Sequence, residues 1–500
     1  MKSKTRKLRN SAAILIISGV TAKVLAALYR FPYQNLVGDL GFYAYQQVYP
    51  LMSIITTIAL VALPNFLSKE IQGYQDKPYF FKKFFQLSML IATAIFLFLL
   101  VLSRPLAYLM GEVRLYPVLI AGSLPLLTLP LLSLARGYYQ ADELLDVTAK
   151  SQLVEQLVRV LIIWLSAYLF VKLNLDVYQI ATLSMLGSFI GGIAALSATR
   201  VRFSFSLWQG FFDFKGILPL FRRLIKSSAN FIYFAIYLLL FQLVDAFCVK
   251  NALVALGFNT ITAQLQKGIF DRAQPFVQLG LTFSLAILTQ SLPKLNYTFK
   301  QNAPRYQQLI KQKVKIITIF SAAITIGMFM VLSLMNRVLF KNNAGIFSLR
   351  MYVIAIFLIS LIQTLHYHYE IIGQKRRNSQ FLTIGLVVKV LSTYLLTRYF
   401  GIFGSSLSTV LSLLIVFSCY YLKEWQLFYF DKRLLITLAV MIATVAGLNQ
   451  LLDFQGRTQL LIKVVVLSLA GVVVLLGLLF KLNVINFQEL RDEEQIDEIR

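Results

Sequence analysis

Five basic residues stand inside stretches that are otherwise apolar: Lys23, Arg30, Arg159, Arg272 and Lys389. A lysine or arginine at the centre of a lipid-spanning helix costs about 2.5–3.5 kcal/mol. Such residues persist where they face water, a partner or a ligand. Few acids stand against them in comparable positions, chiefly Glu155, Asp245 and Asp271. A cavity lined by these groups would carry a surplus of positive charge and suit an anion. Phosphate or pyrophosphate fits best, because guanidinium and ammonium groups bind phosphoryl oxygens well.

Each cation has a local setting. Lys23 and Arg30 share a helical stripe with Ala27 and Gln34, and Pro32 is expected to bend that helix or end its regular part by removing a donor. The stripe faces a cavity in one reading and snorkels to an interface in the other. Gln152, Glu155, Gln156 and Arg159 recur at helical spacing and make one polar face on an apolar helix. Glu155 and Arg159 can pair one turn apart, which would serve a site or a structural ion pair equally. In "GIFDRAQPFVQLG", Pro275 removes a helical donor four residues after Asp271. A kink or unwound segment is therefore expected over 271–275, presenting Arg272 at a break with Asp271 as its neutralising neighbour. A salt-bridged helix end at an interface is the plainer alternative. Asp245, Asp271 and the polar residues Gln34, Gln152 and Gln156 are expected to support the cations or to take part in ion coupling.

The elements that must hold these residues are membrane helices. The chain is 58% hydrophobic with a mean hydropathy of +0.70, and apolar stretches of about 20 residues recur from end to end. Lipid obliges the backbone to bond to itself, and the alternation of barrel strands is absent. The expected fold is all-α and polytopic, with about fourteen spans. The formal net charge of +26 follows from basic cytoplasmic segments such as "KSKTRKLR", "KKFF", "FRRLIK", "KQKVK" and "QKRR", which place both termini inside. The first apolar run is long and lacks a cleavage pattern, so it reads as a retained span.

A repeat organises the spans. Residues 131–160 lie over 361–390 without a gap, setting Arg159 on Lys389, and at nearly the same offset Pro64 falls on Pro293. Six spans separate the copies, so the halves should be related by a pseudo-two-fold axis along the membrane normal. The expected organisation is a first six-helix lobe over 1–200, a cytoplasmic linker over 201–216, a second lobe over 217–425, two further spans within 426–482, and an acidic cytoplasmic tail over 483–500. Cys248 and Cys419 stand alone, and His366 and His368 lack a third ligand, so no disulfide framework, metal site or cofactor is expected. No nucleophile–base constellation or nucleotide loop suggests an enzyme. Cationic drugs would favour acids in the cavity, which argues against a cation-coupled drug exporter.

Three segments carry a resemblance: "TAKVLAALYRFPYQNLVG", "RGYYQ" with "SQLVEQLVR", and "DRAQPFVQLG". They resemble the SpoVB/YtgP branch of polysaccharide-export proteins, in the multidrug/oligosaccharidyl-lipid/polysaccharide superfamily and related to the MurJ lipid II flippases. The resemblance implies a two-lobed flippase of the bacterial cytoplasmic membrane. Its substrate would be an undecaprenyl-pyrophosphate-linked peptidoglycan precursor, moved to the outer leaflet by alternating access, with a teichoic acid or other polysaccharide unit as the alternative. It also implies that the span 1 and span 8 cations Lys23, Arg30 and Arg272 serve the head-group cavity. The sequence departs from the family pattern at Ala273, where "DRGQP" is usual, at "HYHYEIIGQ" in place of a glycine-rich turn, and at "AYQQVYPLMSIIT", which has no arginine.

Overall fold

The structure is a computed structural model that describes residues 18–22, 24–201, 213–428, 431–454 and 456–484. Lys23 lies outside the described residues, as do most of the expected linker (202–212) and acidic tail (485–500). Among the described residues the secondary structure is helical throughout.

The helices that carry the argument are α1 (Arg30–Thr57), α2 (Leu63–Glu70), α3 (Lys77–Leu109), α4 (Tyr116–Ser123), α5 (Leu129–Ala141), α6 (Leu145–Leu173), α7 (Val177–Thr199), α8 (Ile217–Ala235), α9 (Tyr237–Ala255) and α10 (Thr260–Asp271). There follow α11 (Ala273–Gln301), α12 (Ala303–Phe340), α13 (Ile346–Val353), α14 (Ala355–Ile371), α15 (Lys375–Glu424), α16 (Lys432–Leu451) and α17 (Arg457–Lys481). Their starts are written locally. Asp76 accepts the Tyr79 backbone N–H at 2.9 Å to open α3, and Asn302 accepts that of Arg305 at 3.0 Å to open α12. Each such side chain satisfies an amide that the helix leaves without a partner.

Among the described residues eleven helices are long and apolar enough to cross a membrane, and twelve when the pair 113–127 and 129–141, bent by 41°, counts as one broken span. The chain is thus a multi-pass membrane protein. The two longest, Ser18–Gly73 and Lys375–Leu427, run for 56 and 53 residues. A straight helix of that length would measure about 80 Å, far beyond the ~30 Å a bilayer core requires. Each is broken at a glycine in a conformation that other residues rarely adopt: Gly38 at φ 70° and Gly401 at φ 59°.

The chain forms two compact units. The first comprises Met1–Asp271 with Lys389–Ser405, and the second Arg272–Val388 with Ser406–Arg500. In the first, α1, α4, α6 and α7 bury a core that includes Phe42, Tyr43, Leu119, Ile163 and Ala181. The Ser166 and Ser184 hydroxyls, 2.8 Å apart, join α6 to α7. In the second, α16 and α17 lie against α12 through Ile319, Val331, Met441, Val445 and Leu467. Arg457 ties the start of α17 to α12 by donating to the Val338 carbonyl at 2.7 Å.

Candidate functional site

The first unit gathers tyrosines from "YRFPYQ" and "YAYQQVYP" around two arginines. A one-residue break at Tyr29 separates the helical residues 24–28 from α1, and Pro32 is the third residue of α1, where its missing N–H costs little. The ladder continues across the break, with Tyr29 donating to Leu25 at 3.1 Å and Tyr33 to Tyr29 at 3.2 Å. The buried Arg30 guanidinium lies 4.6 Å from the centre of the Tyr49 ring and 5.9 Å from that of Tyr29. From α6, Arg159 approaches the same Tyr49 ring at 5.7 Å and donates to the Tyr45 hydroxyl at 3.4 Å. The Tyr29 and Tyr45 hydroxyls are themselves 2.9 Å apart. One ring therefore serves two guanidiniums, whose positive charge its electron-rich face offsets in part.

The ion pair expected between Glu155 and Arg159 does not form. Glu155 takes Arg136 of α5 instead, at 2.7 Å, and Ser151 accepts from the same guanidinium at 3.1 and 3.2 Å. Arg136 belongs to "RGYYQ", and Ser151 and Glu155 to "SQLVEQLVR", so these two motifs form a buried tie between α5 and α6. Among the described residues no carboxylate pairs with Arg159. Gln152 and Gln156 lie half-buried on α6 near it. Gln34 points elsewhere: its amide donates to Asp39 at 2.8 Å and braces the turn at Gly38.

A second group of charges lies in the same unit. Lys389 and Asp245 form an ion pair at 2.5 Å with both side chains fully buried. Lys267, one turn before Asp271 on α10, holds both Asp271 oxygens at 2.6 and 2.7 Å. Asp271 therefore neutralises Lys267. Asp245 also interacts with Lys267, and Asp271 with Asp245 and Arg30, so the pairs and the arginine–tyrosine group are one electrostatic neighbourhood.

Arg272 opens the second unit. It sits alone between α10 and α11 at φ −59° and ψ −20°, so the helix is interrupted for one residue and does not unwind over 271–275. Pro275 is the third residue of α11, a position that tolerates proline. The Arg272 side chain is fully buried, donates to Asn342 at 2.7 Å and Asn336 at 3.4 Å, and lies 5.0 Å from the Phe340 ring. His366 and His368 are buried, His366 against Asn378 at 2.8 Å and His368 against the Tyr306 hydroxyl at 2.7 Å.

The chain matches the polysaccharide biosynthesis protein family over residues 8–296. It belongs to that family. The chain is 31% identical over 437 residues to the uncharacterized membrane protein YabM of Bacillus subtilis (strain 168), covering 83% of this chain and 80% of YabM. The lipid II flippase MurJ of the same organism is 23% identical over 350 residues, 64% of each chain. Among solved structures, lipid II flippase MurJ in an inward closed conformation aligns with a TM-score of 0.64 at 15% identity, over 96% of this chain and 99% of that one. The fold of this family member is the MurJ fold, as the resemblance implied. Sequence reasoning missed Arg136, Lys267 and the tyrosines of α1. The i,i+4 spacings of Lys267 with Asp271 and of Tyr45 with Tyr49 were the available signals.

Proposed function

We propose that the chain is a flippase of the bacterial cytoplasmic membrane. It carries an undecaprenyl-pyrophosphate-linked peptidoglycan precursor, lipid II, from the inner to the outer leaflet, with both termini in the cytoplasm. The observation that carries this reading is the convergence of Arg30 and Arg159 on Tyr49. Two guanidiniums on one aromatic ring, with Glu155 diverted to Arg136, form a concentration of positive charge suited to a pyrophosphate. The adjoining tyrosines offer ring faces and hydroxyls to a sugar. Lys23, Arg272 and Lys389 belong to the same cationic set in this reading. Kinship with MurJ supports a lipid-linked glycan as cargo.

The polyprenyl tail stays in lipid while the head group is held, and access alternates between the two sides of the membrane. A negative interior favours outward movement of an anion by about 2.3 kcal/mol per charge per 100 mV.

The test is complementation of a cell depleted of its own lipid II flippase, with outer-leaflet lipid II assayed directly. Wild type is expected to rescue, and well-expressed Arg30→Ala, Arg159→Ala, Arg272→Ala and Lys23→Ala variants to fail. Rescue by all variants would keep the substrate and discard the cationic site. Failure of well-expressed wild type would turn the assignment to a teichoic acid or other lipid-linked unit, and expulsion of cationic dyes would turn it to drug export.

A further inference from the structure

The two buried ion pairs of the first unit, Lys389–Asp245 and Lys267–Asp271, do more than neutralise one another. Lys389 and Asp245 come from helices distant in sequence, α15 and α9, and both side chains have no exposed surface. Among the described residues one Asp245 oxygen, Oδ2, is buried without a hydrogen-bond partner. Lys267 and Asp271 are similarly enclosed, at 1% and 0% exposure. The charged or titratable groups that act on these acids include Lys389, Lys267, Arg30, Tyr43 and Cys248, and Asp245 acts on Asp271. A pyrophosphate arriving at Arg30 would therefore meet two more ammonium groups already engaged with carboxylates.

Resting on the flippase reading above, we propose that Lys267 and Lys389 exchange partners during transport, and that Asp271 and Asp245 take up protons in return. The ammonium N–H bonds pass from carboxylate oxygens to phosphate oxygens. Each carboxylate left behind binds one proton from water and becomes a neutral acid. No covalent bond other than that O–H forms, and charge balances: each lysine cation that the phosphate claims is replaced at its old position by one proton. The driving force is the cost of leaving an ionised carboxylate buried without a counter-ion.

A proton fits this role better than a metal ion. A proton needs one oxygen, which Asp245 Oδ2 supplies. A sodium ion needs a shell of several oxygens, and both carboxylates here face ammonium groups. The loaded carrier is thereby closer to neutral than its cargo, which lessens the share of the membrane potential that acts on its outward movement.

The experiment measures proton uptake by purified full-length protein in weakly buffered detergent with a pH-indicator dye. Undecaprenyl pyrophosphate is the probe and undecaprenol the uncharged control, and lipid binding is read separately by native mass spectrometry. Wild type should take up about one proton per released pair with the pyrophosphate and none with the control. Single substitutions would strand a buried charge, so the pairs are removed together, as Asp245→Asn/Lys389→Gln and as Lys267→Gln/Asp271→Asn. Each double variant should bind the lipid more weakly, through Arg30, Arg159 and the remaining lysine, and at saturating lipid should lose the share of uptake that belongs to its pair. Lipid binding without proton uptake would overturn the proposal while leaving the flippase reading intact. So would uptake that is unchanged in both double variants, or binding that demands sodium at constant pH. Absence of lipid binding by wild type would overturn the flippase reading and the exchange with it.

Discussion

The Glu155 carboxylate lies 2.7 Å from Arg136 on a neighbouring helix, and not on Arg159 one turn along its own. That choice separates two arginines with the same chemistry into different tasks. Arg136 fills the charge demand of a buried acid and fastens α5 to α6. Arg159 is left to the tyrosines. Arg136→Ala should therefore strand Glu155, destabilising the protein by about 3–5 kcal/mol, and Glu155→Gln/Arg136→Gln should recover much of that loss. Arg159→Ala should melt close to wild type and lose transport. Thermal unfolding in detergent beside an outer-leaflet lipid II assay checks both; a large stability loss in Arg159→Ala with transport retained would reverse the assignment.

Charge also fastens the turn after α3. Gln264 of α10 donates to Glu112 at 2.7 Å, Asn251 of α9 to the Leu109 carbonyl at 2.9 Å, and Gln47 of α1 to that of Met110 at 3.1 Å. If the amino terminus lies in the cytoplasm, as proposed above, this turn faces the outer side, and a carrier that alternates must loosen it to release its cargo. A reducible thiol cross-linker joining Glu112→Cys to Gln264→Cys, with Cys248 and Cys419 replaced by serine, should arrest transport, and reduction should restore it. Undiminished transport at complete cross-linking would show that the turn stays closed throughout the cycle.

The same turn gives a dependence on pH. Burial pushes the Glu112 carboxyl up, but hydrogen bonds from the Arg114 side chain and backbone and from Gln264 outweigh it and hold it below the usual glutamate value. A carboxyl depressed on folding stabilises the protein above its unfolded pKa of about 4.3 and ceases to as pH falls through the lower folded value. The melting temperature of wild type should thus exceed that of Glu112→Gln near neutral pH, and the gap should close as the medium is acidified below about 4.3. A gap independent of pH would assign the difference to packing alone.

Composition and periodicity were enough for the helices, because lipid leaves the backbone no other solution. The break near Pro275 was legible as well, since a missing N–H has a fixed address, though its extent was not: Arg272 keeps right-handed backbone and one residue suffices. Partners across helices were not legible. Lys389 and Asp245 are 144 positions apart, and nothing in either segment names the other. Glu155 had a plausible partner on its own helix, and only the packing of α5 against α6 shows why Arg136 outcompetes it. Local spacing says which contacts are possible, and tertiary packing selects among them.

Tyr49 is where that selection can be tested most directly, because it touches both candidate arginines and carries no charge of its own. If the ring holds Arg30 and Arg159 in place for an anion, then removing the hydroxyl should matter little and removing the ring should matter more. Tyr49→Phe should transport lipid II at close to the wild-type rate. Tyr49→Leu should weaken apparent affinity by the value of a desolvated cation–π contact, about 0.5–2 kcal/mol, or roughly 2- to 30-fold. Titrating undecaprenyl pyrophosphate into each purified variant measures this, with thermal unfolding to confirm the fold. Equal losses in both variants would move the essential contact from the ring face to the hydroxyl, and no loss in either would remove Tyr49 from the site.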